Sequence, residues 1–319
     1  MLAKGYLTDN RTLTIRSVCS SLELARSSFY AAKKAKKKND RLDYQLWRKA
    51  GKVWKDFPGW GYRKLAVRLK VNGKKTLRIL NKYRSLSKEK NKRGNQEDKG
   101  KKDKGRKYPN LIKKILKDLL DHPKKQKRKN WIIKDGKNKY RKILKPTRPY
   151  QLWAGDWKEL KIPLLGTTLY IFITIDCYTR QVMGFSLSLI KDGKTAVKAS
   201  QMAIDKVKKD PLFNPRSLIM HTDQGSAYLS EVYEIFWKKL GVSLSTADKG
   251  KPTQNPYAEA FISLLVRFCL SQYELLTIAD VKQAIVKFIK LYNSDWIHGE
   301  IGNMAPNQKL EQYRSYLKF

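Results

Sequence analysis

Three acidic residues in the second half of the chain have the type and local setting that metal-dependent chemistry requires. Asp156 lies inside a predicted β-strand, and Asp223 directly follows a short apolar run, residues 218–222, where a strand should pass into a loop. Glu259 lies near the start of a predicted helix. Carboxylate oxygens are preferred ligands of Mg²⁺ and Mn²⁺, and two such ions about 3.5–4 Å apart can activate a nucleophile and stabilise the leaving oxygen of a phosphodiester. If a sheet brings these acids together, they would form a two-metal site.

Other ionisable residues nearby have competing explanations. Asp176 ends a predicted strand, and we expect it to pair with Arg180 rather than to bind metal. Glu159 lies an odd number of positions after the first of the three acids, so it should point to the opposite side of the strand. His221 and His298 could orient a carboxylate or a phosphate, and an ordinary hydrogen-bonded histidine explains each equally well. The sequence has no Ser-His-Asp order and no glycine-rich nucleotide loop, so it does not support a serine hydrolase or a nucleotide kinase.

Three motifs around these acids resemble a known family. They are HTDQGSAY over residues 221–228, Glu259-Ala260-Phe261, and Tyr292-Asn293 followed by His298 and Ala305-Pro306. These motifs resemble the retroviral-integrase-type core of bacterial insertion-sequence transposases, in particular the catalytic product of the second reading frame (OrfB type). The interval between Asp223 and Glu259 is typical of that family. The resemblance covers residues 151–310 strongly and residues 17–86 more weakly.

The resemblance implies a DDE-type polynucleotidyl transferase. Asp156, Asp223 and Glu259 would be its catalytic residues and would hold two Mg²⁺ or Mn²⁺ ions. They would serve metal-dependent cleavage and strand transfer of insertion-sequence ends by in-line transesterification. The partners implied are element-end DNA, target DNA, a second or further copy of the chain, and a product of an upstream reading frame. The implied location is the cytoplasm of a prokaryote, in association with the nucleoid.

One position departs from the family pattern. The family usually has a lysine seven residues after the glutamate, whereas this chain has Val266 there, with Arg267 next to it. Either Arg267 replaces the DNA contact or the active site is weakened. The alternative function is therefore a catalytically inactive DNA-binding or regulatory remnant of a transposable element. A ribonuclease acting on RNA–DNA hybrids would share the fold but would not need so much helical DNA-binding apparatus.

Composition favours a nucleic-acid partner inside a cell. The 319 residues include 69 Lys and Arg against 28 Asp and Glu, a net charge of +41 that would attract polyanions with strong salt dependence. A hydrophobic fraction of 41% argues against wholesale disorder. The three cysteines, Cys19, Cys177 and Cys269, are too far apart for a zinc motif and do not suggest a disulfide framework. No apolar run is long enough for a membrane span, and no signal peptide is evident, so we expect an intracellular protein.

The elements that must position the acids predict an α/β fold. Residues 167–176 form a nearly continuous β-branched and aromatic run, which is typical of a strand buried on both faces. An antiparallel pair and then alternating helices and strands give a ribonuclease-H-like mixed five-stranded sheet with flanking helices. The order of strands in this sheet comes from the resemblance. Small all-α, helix-turn-helix-like DNA-binding segments should precede this domain.

The chain is predicted to divide into four parts. Residues 1–38 form an N-terminal helical segment ending in a basic spacer at 33–38, and residues 39–85 form a helical DNA-binding domain. Each could instead be ordinary helical structure with a charged face. Residues 86–148 are a basic linker with one short helix, and residues 149–319 are the integrase-type catalytic core.

The residues predicted to contact DNA are mostly basic positions outside the apolar faces of these helices and in the linker. Asn255 and Arg267 join them because they lie near Glu259 on one stripe of its helix. Residues 247–255 are expected to form a mobile loop over the site. The full set is Arg26, Arg63, Lys64, Lys75, Arg78, Lys82, Lys124, Lys125, Lys127, Arg128, Lys129, Asn255 and Arg267.

Overall fold

The chain divides into two compact units, residues 1–95 and 96–319. In the first unit the helices are α1 (Ile15–Ser21), α2 (Arg26–Asp56), α3 (Tyr62–Leu69) and α4 (Gly73–Arg84). The computed structural model describes residues 14–84, 108–121, 131–135, 142–162, 166–248, 254–271 and 277–317.

The second unit contains strands and helices in alternation. The strands are β1 (Trp131–Asp135), β2 (Lys142–Pro146), β3 (Leu152–Ile162), β4 (Thr167–Asp176), β5 (Val182–Ser188), β6 (Ile219–Thr222) and β7 (Ser243–Thr246). The helices are α5 (Leu111–Asp121), α6 (Gly193–Val207), α7 (Glu231–Lys239), α8 (Pro256–Leu265), α9 (Ile278–Asp295) and α10 (Pro306–Leu317). Within the described ranges, every helix is too short or too polar to span a bilayer.

The five-stranded sheet has the order β5-β4-β3-β6-β7. The strands β3, β4 and β5 pair antiparallel, whereas β6 and β7 join parallel to β3 and to each other. The buried run predicted at residues 167–176 is β4, which lies between β3 and β5, as its apolar sequence requires. The predicted mixed five-stranded sheet with flanking helices is confirmed.

Helix α6 packs close to the sheet because both surfaces carry small residues. The face of α6 that packs on the sheet is fully buried and consists of Ala196, Ala199, Ala203 and Val207. Opposite it, Gly184 on β5 lies directly under the helix backbone. A Cβ at this glycine would collide with the Ala199 carbonyl oxygen and lie 2.9 Å from the Ala203 amide nitrogen. The helix can therefore approach this strand only where the side chain is a hydrogen atom.

We expect Gly184→Ala to destabilise the protein by about 3 kcal/mol, because the obstructing atoms belong to backbone and cannot rotate away. Denaturant unfolding would measure the change. Gly299→Ala is the matched control in the same unit, since a Cβ there meets nothing closer than 3.7 Å. Equal stability of the two variants would contradict the close packing of α6 on β5.

The first unit is a helical cluster with an aromatic centre. Phe57 and Trp60 stack with ring centres 4.1 Å apart, and both are buried. Two leucines that lie on the apolar sides of their helices, Leu77 and Leu42, are nevertheless 39% and 45% exposed. The buried residues of α4 are instead Thr76, Ile79 and Leu80.

A buried acid lies next to the exposed Leu42 on α2. Asp43 is 2% exposed on α2, and its carboxylate accepts a hydrogen bond from the Arg78 guanidinium at 2.8 Å. Lys82 lies 3.5 Å from the same carboxylate and 2.7 Å from Asp40. These ion pairs join α2 to α4, because a buried carboxylate requires charged partners.

Two parts of the predicted division need correction. The basic spacer expected at residues 33–38 lies within α2, which is one continuous helix of 31 residues. The expected linker, residues 86–148, contains the antiparallel pair β1–β2 in addition to helix α5. Pairing between two short strands depends on contacts across the gap between them, so a local pattern does not reveal it.

Candidate active site

The parallel pairing of β3 and β6 brings two of the three acids together. Ala154 is the register partner of His221. Two residues further along each strand direction lie Asp156 and Asp223, so both side chains project to the same face of the sheet. Adjacent strands are about 4.8 Å apart, which makes the two carboxylates neighbours at the end of β6.

Helix α8 brings Glu259 to the same region. Asn255 precedes the helix, and its Nδ2 donates to the Gly155 carbonyl at 2.9 Å. The Asn255 carbonyl in turn accepts from the Glu259 backbone N–H at 3.4 Å. A hydrogen bond therefore connects the start of α8 to Gly155, the residue before Asp156, and Glu259 lies one helical turn after Asn255.

Asn255 does not present its amide to DNA in this structure. It is 4% exposed, and its amide is used in the hydrogen bond to β3. The structure gives Asn255 a hydrogen-bond partner within the protein, and the DNA contact at this position stays a prediction. The sequence indicates that Asn255 is important because it lies one helical turn before Glu259. Its hydrogen-bond partner Gly155 is 100 residues away in the chain, so no local pattern predicts that contact.

The pKa values of the three acids indicate that their charges act on one another. Burial, and after it the nearby charges of Asp223 and Glu259, raise the pKa of Asp156 to about 7. Burial and the charge of Asp223 also raise the pKa of Glu259. Asp223 has an exposed surface, yet desolvation by the surrounding protein raises its pKa as well. Such mutual repulsion is relieved when a cation lies among the acids.

The donor set fits a hard divalent cation, since all three side chains offer oxygen only. Hydrogen bonds already orient two of them. Asp156 Oδ1 accepts from the Trp157 N–H at 2.8 Å, and Asp223 Oδ1 accepts from the Gly225 N–H at 3.0 Å. As the side chains stand, no group of three or more His, Cys, Asp or Glu residues within the described ranges is arranged to hold a metal ion.

The other ionisable residues have structural roles. Asp176 is fully buried, and its carboxylate accepts from the backbone N–H groups of Tyr150, Tyr178 and Thr179 and from the Thr179 hydroxyl. Asp176 thus has a structural role, as expected, but the side-chain pair expected with Arg180 is wrong, because Tyr150, Tyr178 and Thr179 are its partners instead. The Arg180 guanidinium instead lies 4.0 Å from the centre of a tyrosine ring in α8.

His221 serves the fold as well. Its Nδ1 lies 2.9 Å from the Ser245 hydroxyl, whose oxygen also accepts the backbone N–H of Leu111. This chain of contacts connects β6, β7 and α5. Burial lowers the pKa of His221 to about 4, so the ring is neutral near pH 7. Of the two explanations left open, the structure favours an ordinary hydrogen-bonded histidine.

The motif residues Tyr292, Asn293 and His298 make contacts at the β5 edge of the sheet and within the C-terminal part of the chain. The Asn293 side chain accepts from the Val182 N–H at 2.9 Å and donates to the Val182 carbonyl at 3.0 Å. Tyr292 packs edge-on against the ring of His298, with ring centres 5.0 Å apart. These residues anchor α9 to β5 and thereby support the sheet that carries the acids.

The DNA contacts predicted in the first unit and in the linker fall into four groups. Arg26, Arg63 and Lys75 are exposed on the first unit, whereas Arg78 and Lys82 form the ion pairs with α2 described above. Burial lowers the pKa of Lys64 to about 8, and its ammonium lies 5.7 Å from the centre of the Trp60 ring. The linker positions lie outside the described residues, namely Lys124, Lys125, Lys127, Arg128 and Lys129.

The position that departs from the family pattern begins a π-helical turn, Val266–Leu270, which continues α8. The Ser271 N–H donates to the Val266 carbonyl at 3.0 Å, a longer-range bond than an α-helix makes. Arg267 is exposed on this turn, 5.2 Å from the centre of the Phe268 ring. A DNA contact by Arg267 stays a prediction.

One cation near the acids was missed by reasoning from the sequence. Lys191 lies between β5 and α6, and its charge lowers the pKa of both Asp156 and Asp223. The residue stands in a polar connection among many other lysines, so no local signal distinguishes it.

Comparison with known proteins agrees with this arrangement. Two family models, each described as an integrase core domain, match residues 146–252 and 240–306. The transposase for insertion sequence element IS904 of Lactococcus lactis is 32% identical over 179 residues, which are 56% of this chain and 68% of that protein. The transposase InsF for insertion sequence IS3A of Escherichia coli is 29% identical over 161 residues, which are 50% of this chain.

The aligned part spans only 54% of the InsF sequence, little more than half the length of that relative. Among solved structures, the HTLV-2 integrase catalytic core domain superposes with a TM-score of 0.40 at 20% identity, over 50% of this chain and 95% of that one. The sequence relationship to the IS904 protein and the two core models together establish the family. The chain belongs to the insertion-sequence transposases of the retroviral-integrase superfamily, which are polynucleotidyl transferases of the DDE type.

Proposed function

We propose that the protein cleaves the ends of its insertion sequence and joins them to target DNA, using Asp156, Asp223 and Glu259 as catalytic residues. The observation that carries the proposal is the convergence of three segments. The β3–β6 register makes the two aspartates neighbours, and Asn255 ties the helix of Glu259 to β3. Three carboxylates whose negative charges repel one another are suited to hold divalent cations.

The three acids would hold two Mg²⁺ or Mn²⁺ ions. When bound, such a pair promotes deprotonation of a hydroxyl nucleophile and stabilises charge on the leaving oxygen. The chain itself orients the ligands, through the N–H groups of Trp157 and Gly225 and through the tie at Asn255. His221 is buried and bonded to Ser245, so it is not placed to act as a general base. The nucleophiles would be water for cleavage and then a DNA 3′-hydroxyl for joining.

DNA binding would depend on the positive charge of the whole chain. A net charge of +41 favours phosphate contacts by counterion release. Exposed Arg26, Arg63 and Lys75 are the best candidates in the first unit, and Arg267 is the candidate on the helix of Glu259. Arg78 and Lys82 could contribute only as parts of their ion pairs with Asp43 and Asp40. The linker lysines and arginine at 124–129 belong to the same proposal.

We extend the proposal to organisation and partners. The segments 1–38 and 39–85 would bind element ends, and residues 149–319 would carry the chemistry. Two or more copies would assemble on paired ends, because one site acts on one strand at a time. An upstream-frame product and a cytoplasmic, nucleoid-associated location are further parts of this proposal.

A cleavage and joining assay tests the function. The full chain, Mg²⁺ and a duplex carrying the inverted repeats that flank the gene should yield a cleaved end and a joined product. Asp223→Asn should bind the same duplex and yield neither product. If the wild type and Asp223→Asn both bind DNA and are equally inactive, the enzyme proposal fails.

That outcome would favour the second candidate, a DNA-binding or regulatory remnant of the element. Val266, which stands where the family usually has a lysine, is the observation that supports this alternative. A Val266→Lys variant, tested in the same cleavage assay, distinguishes a site inactivated by this one substitution from a protein that lacks the activity for other reasons. Recovery of cleavage in this variant alone would show that the substitution had inactivated an otherwise intact site.

A further inference from the structure

Lys191 is held beside the strand that carries the first catalytic acid. Its Nζ lies 3.2 Å from Oε1 of Glu159, which is three residues beyond Asp156 on β3. The two members of this ion pair have side chains that are 37% and 56% exposed. The ammonium is therefore positioned by β3 and remains accessible from the solvent.

The backbone on the other side of Lys191 is anchored beside the second acid. Asp192 caps helix α6, with Oδ1 accepting from the Thr195 N–H at 2.9 Å. The next residue, Gly193, packs so closely on the segment after Asp223 that a Cβ would collide with the Ser230 side chain and lie 3.1 Å from the Ala227 carbonyl oxygen. The first residue of α6 is thus tightly packed against the loop that begins at Asp223.

These two anchors hold Lys191 close to the strand of Asp156 and to the segment that follows Asp223. Burial raises the pKa of Asp156 and of Asp223, and the charge of Lys191 acts in the opposite direction on both. The ion pair on β3 and the packing of Gly193 therefore keep Lys191 near the two aspartates, where the proposed function would hold a reacting phosphodiester.

We infer that Lys191 binds the DNA strand at the active site, its ammonium contacting a non-bridging oxygen of the phosphodiester held at Asp156 and Asp223. This rests on the proposed function, which supplies DNA as the polyanion. An exposed ion pair is weak, so exchange of Glu159 for a phosphate oxygen costs little. The flexible four-carbon stem allows the ammonium to move from one acceptor to the other.

The first test measures binding without Mg²⁺, using the full chain and a duplex with the element-end sequence. Lys191→Gln should weaken binding about fivefold to tenfold and reduce the slope of log K against log salt by about one, whereas Lys191→Arg should retain most of the affinity. Lys208→Gln is the matched control, because Lys208 lies just beyond the far end of α6 and is also paired with an acid, Asp205, at 2.7 Å. Equal losses in Lys191→Gln and Lys208→Gln would overturn the inference.

The second test identifies the phosphate. Duplexes in which single phosphates near the cleavage point are replaced by neutral methylphosphonates would be scanned with wild type and Lys191→Gln. At the contacted position the two losses should not add, so the variant should bind both duplexes equally. Additive losses at every position would mean that Lys191 only tunes the acids and touches no phosphate, and would overturn the inference.

Failure of this inference is distinguishable from failure of the proposed function. If the wild type neither cleaves nor joins DNA with Mg²⁺, the enzyme proposal fails, while the metal-free binding measurements still decide the phosphate contact. If cleavage is normal and Lys191→Gln binds and reacts like the wild type, only the Lys191 inference is overturned. Glu159→Gln should release the ammonium and tighten binding about twofold. Weaker binding in Glu159→Gln would argue against exchange of the pair.

Discussion

Asp156→Asn is expected to lose DNA cleavage by a factor of about a thousand or more and to leave the folded protein more stable. The amide keeps the shape and can still accept the Trp157 N–H, but it removes the negative charge that a divalent ion requires. Loss of a metal ligand removes several kcal/mol of transition-state stabilisation, which corresponds to this factor.

The gain in stability follows from the pKa of Asp156, which is raised from 3.8 to about 7. The folded state holds a proton that the unfolded state has already lost, so the wild type loses stability as the pH rises from about 4 to about 7. Above pH 7 the ionised carboxylate carries the whole penalty, which we take as about 2 kcal/mol after discounting for partial solvent exposure. Asn has no such penalty at any pH.

Calorimetry of the full chain without divalent ions would measure this difference. At pH 8 the melting temperature of Asp156→Asn should exceed that of the wild type by roughly 4–8 °C, and the difference should vanish near pH 4. Asp205→Asn is the control of opposite sign, because its pairing with Lys208 lowers the pKa of Asp205. A melting temperature for Asp156→Asn below that of the wild type at pH 8 would contradict the repulsion described for the site.

Asn255→Ala is expected to lower the catalytic rate about a hundredfold, although residue 255 is not proposed to touch substrate or metal. The change removes the donor to the Gly155 carbonyl, which ties the first turn of α8 to β3. Glu259 would then shift relative to the aspartates, and a displacement near 1 Å at a catalytic group can cost this factor. The lost buried hydrogen bond should also destabilise the protein by about 2 kcal/mol.

Two readouts separate positioning from general damage. The rate with saturating DNA and Mg²⁺ should fall while the affinity for DNA stays near that of the wild type, because Asn255 is buried and does not face DNA. Ser263→Ala, an exposed position on the same helix, should change neither quantity. A variant Asn255→Ala with full activity, or one whose only defect is weak DNA binding, would restore the DNA-contact role that the sequence alone had predicted.

Local patterns in the sequence were sufficient for the elements of the catalytic unit. The apolar run at 167–176 and the alanine spacing in α6 specify one buried strand and one buried helix face, since burial imposes periods of 2.0 and 3.6 residues. Motifs around Asp223 and Glu259 were sufficient to indicate the family. These signals are short-range, so they can be read without knowing how the chain packs.

The first unit shows where such signals end. Residues 33–38 are mostly lysine, which is a good helix former, but they bury no side chain and show no hydrophobic periodicity. The sequence therefore predicts a spacer where the structure has the continuous helix α2. Asp43 is buried in the first unit, where an apolar side chain is more usual. Its ionic partner Arg78 lies 35 residues away, and no local rule connects them.

The roles of individual site residues were decided by tertiary structure. The sequence by itself determined which acids are suited to metal chemistry and roughly which elements carry them. Only the folded chain assigned Asn255 to Gly155, Asn293 to Val182 and Lys191 to Glu159. The reason is physical: strand and helix propensities act over a few residues, whereas a hydrogen bond or ion pair forms between whichever groups packing brings within about 3 Å.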